Sequence, residues 1–102
     1  MTIRIVPNDK PIPGKLADAE VHFDDGPLQG LKLIGFSVWQ ADGRTRSSPR
    51  SVTFPGRYYA VNGKRRTFSL LRPIADPDSR LQLRGLILDA YADYESGNGQ
   101  GA

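Results

Sequence analysis

Eight basic side chains fall within residues 44–72 (RTRSSPRSVTFPGRYYAVNGKRRTFSLLR): Arg44, Arg46, Arg50, Arg57, Lys64, Arg65, Arg66 and Arg72, with no Asp or Glu among them. All but Lys64 are arginines, whose planar guanidinium binds phosphate through parallel hydrogen bonds and also stacks on bases. This segment carries a formal +8. The rest of the chain holds the other six basic residues and all eleven acidic ones, a formal −5, so the overall +3 conceals a dipolar molecule. A surface built only for solubility mixes its signs. A one-signed stretch with Tyr58 and Tyr59 interleaved is instead the footprint of a polyanion-binding face. Tyr58, Tyr59 and Trp39 offer rings on which unpaired bases stack, worth about 1–3 kcal/mol per base. The competing reading is that these arginines are solvated positions whose carboxylate partners lie elsewhere in the chain.

Catalytic chemistry has little to work with. His22 is the sole histidine, and a lone histidine on a strand reads as a structural or exposed side chain rather than a general base. Asp24-Asp25-Gly26 and Asp76-Pro77-Asp78 are explained by a turn and a helix start, without the ligand spacing of a calcium loop. The run GKRRT at 63–67 lacks the upstream glycine and the following helix of a phosphate loop. With no cysteine in the chain, disulfides and thiolate metal sites are excluded. No enzyme activity, cofactor, metal or small-molecule substrate is expected. No apolar run of bilayer-spanning length and no secretory signal pattern occurs, which makes the cytoplasm the default expectation and gives no reason to expect a membrane partner.

The elements that must position the basic stretch follow from periodicity. At 102 residues the chain suits one domain with one modest core. Residues 1–14 are expected to form an N-terminal arm, with Ile3 and Ile5 alternating in a possible short strand before three prolines. Residues 15–23 alternate, with Ala17, Ala19, Val21 and Phe23 on one side. Residues 31–40 (LKLIGFSVWQ) are apolar on both faces and read as a central or helix-covered strand, with Ile34, Phe36 and Val38 facing one way. Gly35 within it suggests a bulge or a close backbone approach. Residues 41–50 read as a loop and residues 51–54 as a short strand. The clearest hairpin turns at Asn62-Gly63, a dipeptide suited to a type I′ turn. A plain two-residue turn sets Val61 opposite Lys64, Tyr59 opposite Arg66 and Arg57 opposite Phe68. Trp39 and Phe68 are expected in the core.

A helix is expected over residues 77–94, with Asp76 as N-cap and Pro77 in the first position. Its apolar stripe would be Leu83, Leu86, Ile87, Ala90, Tyr91 and Tyr94. Its charges run against the helix dipole, since Arg80 and Arg84 precede Asp89, Asp93 and Glu95. The sharper reading of Arg80 and Arg84 is that they extend the basic face. Residues 96–102 (SGNGQGA) are expected to be a flexible tail.

In order and spacing, Gly30 to Trp39 (GLKLIGFSVW), Phe54-Pro55-Gly56-Arg57, Arg72-Pro73-Ile74 and Ile87-Leu88-Asp89-Ala90-Tyr91 resemble the family of stage V sporulation protein G, the bacterial septation and sporulation regulator. The resemblance covers roughly residues 16–94. It implies an α+β fold in which a twisted antiparallel sheet of about four to five strands is backed by a C-terminal helix in one domain, residues 15–95. It also implies a homodimer joined through strand edges, and DNA or RNA binding in transcription regulation. This sequence departs from the family pattern in its N-terminal arm, in the longer loop bearing Arg44, Arg46 and Arg50, and in Arg72 where histidine is more usual.

The combined expectation is a nucleic-acid-binding protein. Its contacts would be Arg44, Arg46, Arg50, Arg57, Lys64, Arg65 and Arg66, extended by Arg80 and Arg84, with Tyr58 or Tyr59 stacking on bases. The alternative is a protein-interaction module in which a strand edge and the basic loop capture an acidic partner.

Overall fold

The structure is a computed structural model that describes residues 1–8, 12–40 and 50–97. Arg44 and Arg46, with the rest of the expected loop 41–49, lie outside the described residues, as do residues 9–11 and the tail residues 98–102. Four strands form one antiparallel sheet in chain order: β1 (Thr2–Pro7), β2 (Lys15–His22), β3 (Lys32–Gln40) and β4 (Arg50–Thr53). β5 (Gly56–Val61) and β6 (Lys64–Ser69) form a separate two-stranded sheet, and α1 (Asp78–Glu95) ends the fold. The architecture is α+β. Residues 2–7 of the expected arm are part of the sheet, because β1 pairs along its whole length with β2, from Thr2 opposite His22 to Pro7 opposite Ala17.

One face of the sheet meets α1. Its buried centre is Ala17, Ala19 and Val21 of β2, Phe36 and Val38 of β3, and Ile87 and Tyr91 of α1. The period-two pattern of β2 therefore points inward as expected. Phe54, just past β4, closes this core edge-to-face against Phe36, with ring centroids 5.4 Å apart and planes at 70°.

Within β3 the alternation breaks at Gly35. Ala19 pairs with Phe36 but Val21 pairs with Leu33, so two steps along β2 match three along β3. The extra residue is a β-bulge. It turns Ile34 out to 59 % exposure and brings Leu33 against the core, which corrects the expected grouping of Ile34 with Phe36 and Val38. Gly35 is required twice over. Its φ is 108°, and a Cβ there would lie 3.0 Å from Cβ of the buried Pro55.

The helix begins at Asp78, one residue later than expected, with Pro77 rather than Asp76 at the N-cap position. The Asp76 carboxylate accepts the Asp78 amide at 2.9 Å, and Pro77 already has helical angles (φ −58°, ψ −25°). The buried stripe runs through Leu83, Ile87, Tyr91 and Tyr94, with Leu88 beside it. Leu86, expected in that stripe, is 47 % exposed. It sits about 100° around the helix from Ile87, beyond the width of the contact. Among the described residues no helix is long and apolar enough to cross a membrane.

Candidate nucleic-acid interface

The β5–β6 hairpin carries the centre of the basic stretch. Asn62 and Gly63 take φ values of 52° and 77°, positive at both central residues as a type I′ turn demands. The register is the one that turn dictates: Val61 opposite Lys64, Tyr59 opposite Arg66, and Arg57 opposite Phe68. Arg57, Tyr59, Lys64, Arg66 and Phe68 thus share one face, and Tyr58, Ala60, Arg65 and Thr67 the other.

Neither face is buried, and every residue from 56 to 68 is exposed. Two expected core residues are corrected by this. Phe68 is 45 % exposed, with the Arg72 guanidinium 3.9 Å over its ring. Trp39 alternates with the buried Val38 and so points to the opposite side of the sheet, where its Nε1 donates to Thr53 Oγ1 at 2.9 Å. The hairpin is held at its base. Leu70 N donates to Pro55 O at 3.0 Å, and Arg72 Nε donates to Ser69 O at 2.9 Å. Gly56 fits here because a Cβ would lie 3.1 Å from Thr67 Cγ2.

The hairpin's cations have no internal neutralisation among the described residues. Among the described residues, none of Arg57, Lys64, Arg65, Arg66 and Arg72 forms an ion pair. Arg65 stacks over Tyr58 at 4.2 Å, a diagonal cross-strand contact that also occupies that ring. No cation or second ring covers Tyr59 among the described residues.

The four-stranded sheet pairs three of its four strand cations; exposed Arg4 of β1 forms no ion pair among the described residues. Lys15 pairs with Asp18 at 2.8 Å, and Lys32 with Glu20 at 3.2 Å. His22 Nε2 lies 2.9 Å from Glu20 Oε1. The hydrogen bonds from His22 and then Lys32 hold the Glu20 carboxyl below its ordinary value of 4.5. Asp24 is held below 3.8, first by the Thr2 hydroxyl and then by the terminal amine.

Arg50 belongs with these paired charges rather than with the hairpin. Its Nη2 meets Glu95 Oε2 at 2.7 Å, its guanidinium lies 5.0 Å from the Tyr91 ring centroid, and its side chain is 20 % exposed. Its guanidinium is therefore engaged internally and not presented to solvent as a backbone contact would be. Glu95 at the C-terminal end of α1 opposes the helix dipole, and this ion pair is the compensating interaction. Arg84 Nη2 donates to the Arg50 carbonyl at 3.1 Å, and the Arg80 guanidinium lies 4.8 Å from the Phe54 ring centroid. Arg80 and Arg84 thus sit where α1 meets β4, not on the hairpin. Among the described residues no His, Asp or Glu cluster is arranged to hold a metal ion.

Two participants escaped the sequence. The sequence marks Arg72 as a charge and gives no sign that it covers the Phe68 ring. The Arg65–Tyr58 stack was available from the register, since Tyr58 is the diagonal neighbour of Arg65. Comparison with known proteins finds no family model that matches the chain, no matching curated protein and no matching solved structure, so the likeness to the sporulation regulator rests on the quoted motifs alone.

Proposed function

We propose that this chain is a non-enzymatic, cytoplasmic nucleic-acid-binding protein that grips a phosphate backbone with its β5–β6 hairpin. The observation that carries this reading is the contrast in pairing: Arg57, Lys64, Arg65 and Arg66 have no carboxylate partner among the described residues, while Lys15, Lys32 and Arg50 each have one. Unpaired guanidinium groups on an exposed ribbon release counterions when they meet phosphates, which is the main driving force of such binding. Arg57 and Arg66 flank Tyr59 on the face whose ring is uncovered, so Tyr59 is the stacking residue and Tyr58 is not. Arg44 and Arg46 add charge by sequence. The resemblance to the sporulation regulator extends the reading to gene regulation.

A homodimer belongs to the same proposal. An isolated two-stranded hairpin is marginal in water, and this one buries neither face. Edge pairing between two copies would supply the missing neighbours and double the basic surface.

The test is a titration of labelled single- and double-stranded oligonucleotides at two salt concentrations. The logarithmic salt slope should be about 0.7–0.9 per phosphate neutralised. The triple variant R57E/R65E/R66E should lose affinity for every sequence, and Tyr59→Ala should weaken single strands more than duplexes. Undetectable binding at low salt would overturn the reading.

A further inference from the structure

A second exposed surface shares no lining residue with the β5–β6 strands. Between β4 and the first turns of α1 runs an open groove of about 360 Å³, lined by Val52, Phe54, Pro73 and Leu81 with Arg80 and Arg84 at its side. Leu81 is 61 % exposed, a large aliphatic group on a helix face that no described element covers. We propose that this groove docks a short extended peptide of a protein partner, one that presents an apolar anchor residue flanked by carboxylates.

Charge complementarity selects the occupant. Among the described residues, neither Arg80 nor Arg84 pairs with a carboxylate. Two cations beside an apolar trough therefore ask for an apolar side chain with acidic neighbours. This chain's own segments outside the described residues do not match. Residues 9–11 (DKP) set one lysine beside one aspartate and have no large aliphatic side chain, residues 41–49 (ADGRTRSSP) bear two arginines against one aspartate, and residues 98–102 (NGQGA) bear no charged side chain.

The aromatic face a nucleobase would need is already taken, because the Arg80 guanidinium lies 4.8 Å from the Phe54 ring centroid. Open aliphatic surface at Val52 and Leu81 suits a branched or unbranched apolar side chain instead. β4 is the last strand of its sheet in the order β1-β2-β3-β4, so an extended peptide beside it meets a strand edge as well as a groove.

This proposal is independent of the hairpin reading, and its test keeps the two apart. A displayed library of random peptides is selected on the full chain, and the selected peptides are titrated by fluorescence anisotropy. They should carry Leu, Ile or Met next to Asp or Glu. Leu81→Glu and Arg80→Gln should each weaken them about tenfold or more, while R57E/R65E/R66E should leave them unchanged. Leu81 is exposed enough for its replacement to be tolerated, and Arg80→Gln keeps the test decisive if it is not. Selected peptides without acidic residues, or peptides indifferent to both substitutions, would overturn the proposal. So would an oligonucleotide whose binding falls in Leu81→Glu, which would assign the groove to nucleic acid. Self-association abolished by Leu81→Glu would assign it to a second copy.

Discussion

The four-stranded sheet and the hairpin carry the same kinds of residue and use them in opposite ways. On the sheet, three of the four strand cations, Lys15, Lys32 and Arg50 but not Arg4, have a carboxylate within 3.2 Å, and the apolar side chains of one face are buried under α1. On the hairpin the cations have no carboxylate partner among the described residues and the aromatic rings are exposed, even though Arg65 and Arg72 stack on two of them. Charges that pair internally support a fold, each worth about 0–1 kcal/mol at an exposed site. Charges left unpaired on an exposed ribbon are available to an outside polyanion. Within one chain, the difference separates charges engaged inside the fold from charges open to solvent.

The largest expected effect breaks the comparison through the core. Phe36→Ala should cost about 3–5 kcal/mol in urea unfolding, as deletions of a fully buried aromatic do. Phe68→Ala at the same dilution should cost well under half of that. Equal costs would mean that the hairpin is packed and not free. Next comes charge. Arg57→Gln with Arg66→Gln should lower the logarithmic salt slope of oligonucleotide binding by about 1.4–1.8, two phosphates' worth. It should leave the melting temperature level or raise it, because like charges are removed. Lys32→Gln, on the paired face, should leave that slope unchanged.

A smaller effect is expected at the bulge. Gly35→Ala forces a side chain into positive φ and against Pro55, and should cost about 1–3 kcal/mol in denaturant melts. The smallest concerns acid. Because the folded Glu20 carboxyl sits below its ordinary 4.5, its contribution is present above that pH and is lost as pH falls through the folded value. Glu20→Gln should therefore lower stability slightly near neutrality, where that contribution is present, and flatten the acid limb below pH 4.5. An unchanged acid limb would show that the His22 and Lys32 contacts do not persist in solution.

Local chemistry was the legible part. Asn62-Gly63 can turn in few ways, so the turn type and the three expected cross-strand pairs were readable before any tertiary contact was known. Asp76 and Pro77 marked the helix start for the same reason. The alternation of Ala17, Ala19 and Val21 assigned the inner face of β2. What failed depended on neighbours distant in sequence. The bulge at Gly35 exchanged Ile34 for Leu33, and periodicity cannot choose between two apolar residues at a point where the period slips. Arg50 looked like the other arginines of its stretch, and only α1 arriving from 45 positions further along the chain made it an internal partner of Glu95.

Backbone preference and charge count are properties of short segments, and by themselves they determined the hairpin, its register, the helix start and the concentration of positive charge in one stretch. Exposure is a property of the assembled chain. Only the tertiary structure decided that neither hairpin face is covered, that Phe68 and Trp39 lie outside the core, and that Arg80 and Arg84 border an apolar groove beside β4. The reason is that burial is settled by which elements meet, and the one described helix has apolar surface enough to cover a single face of a single sheet.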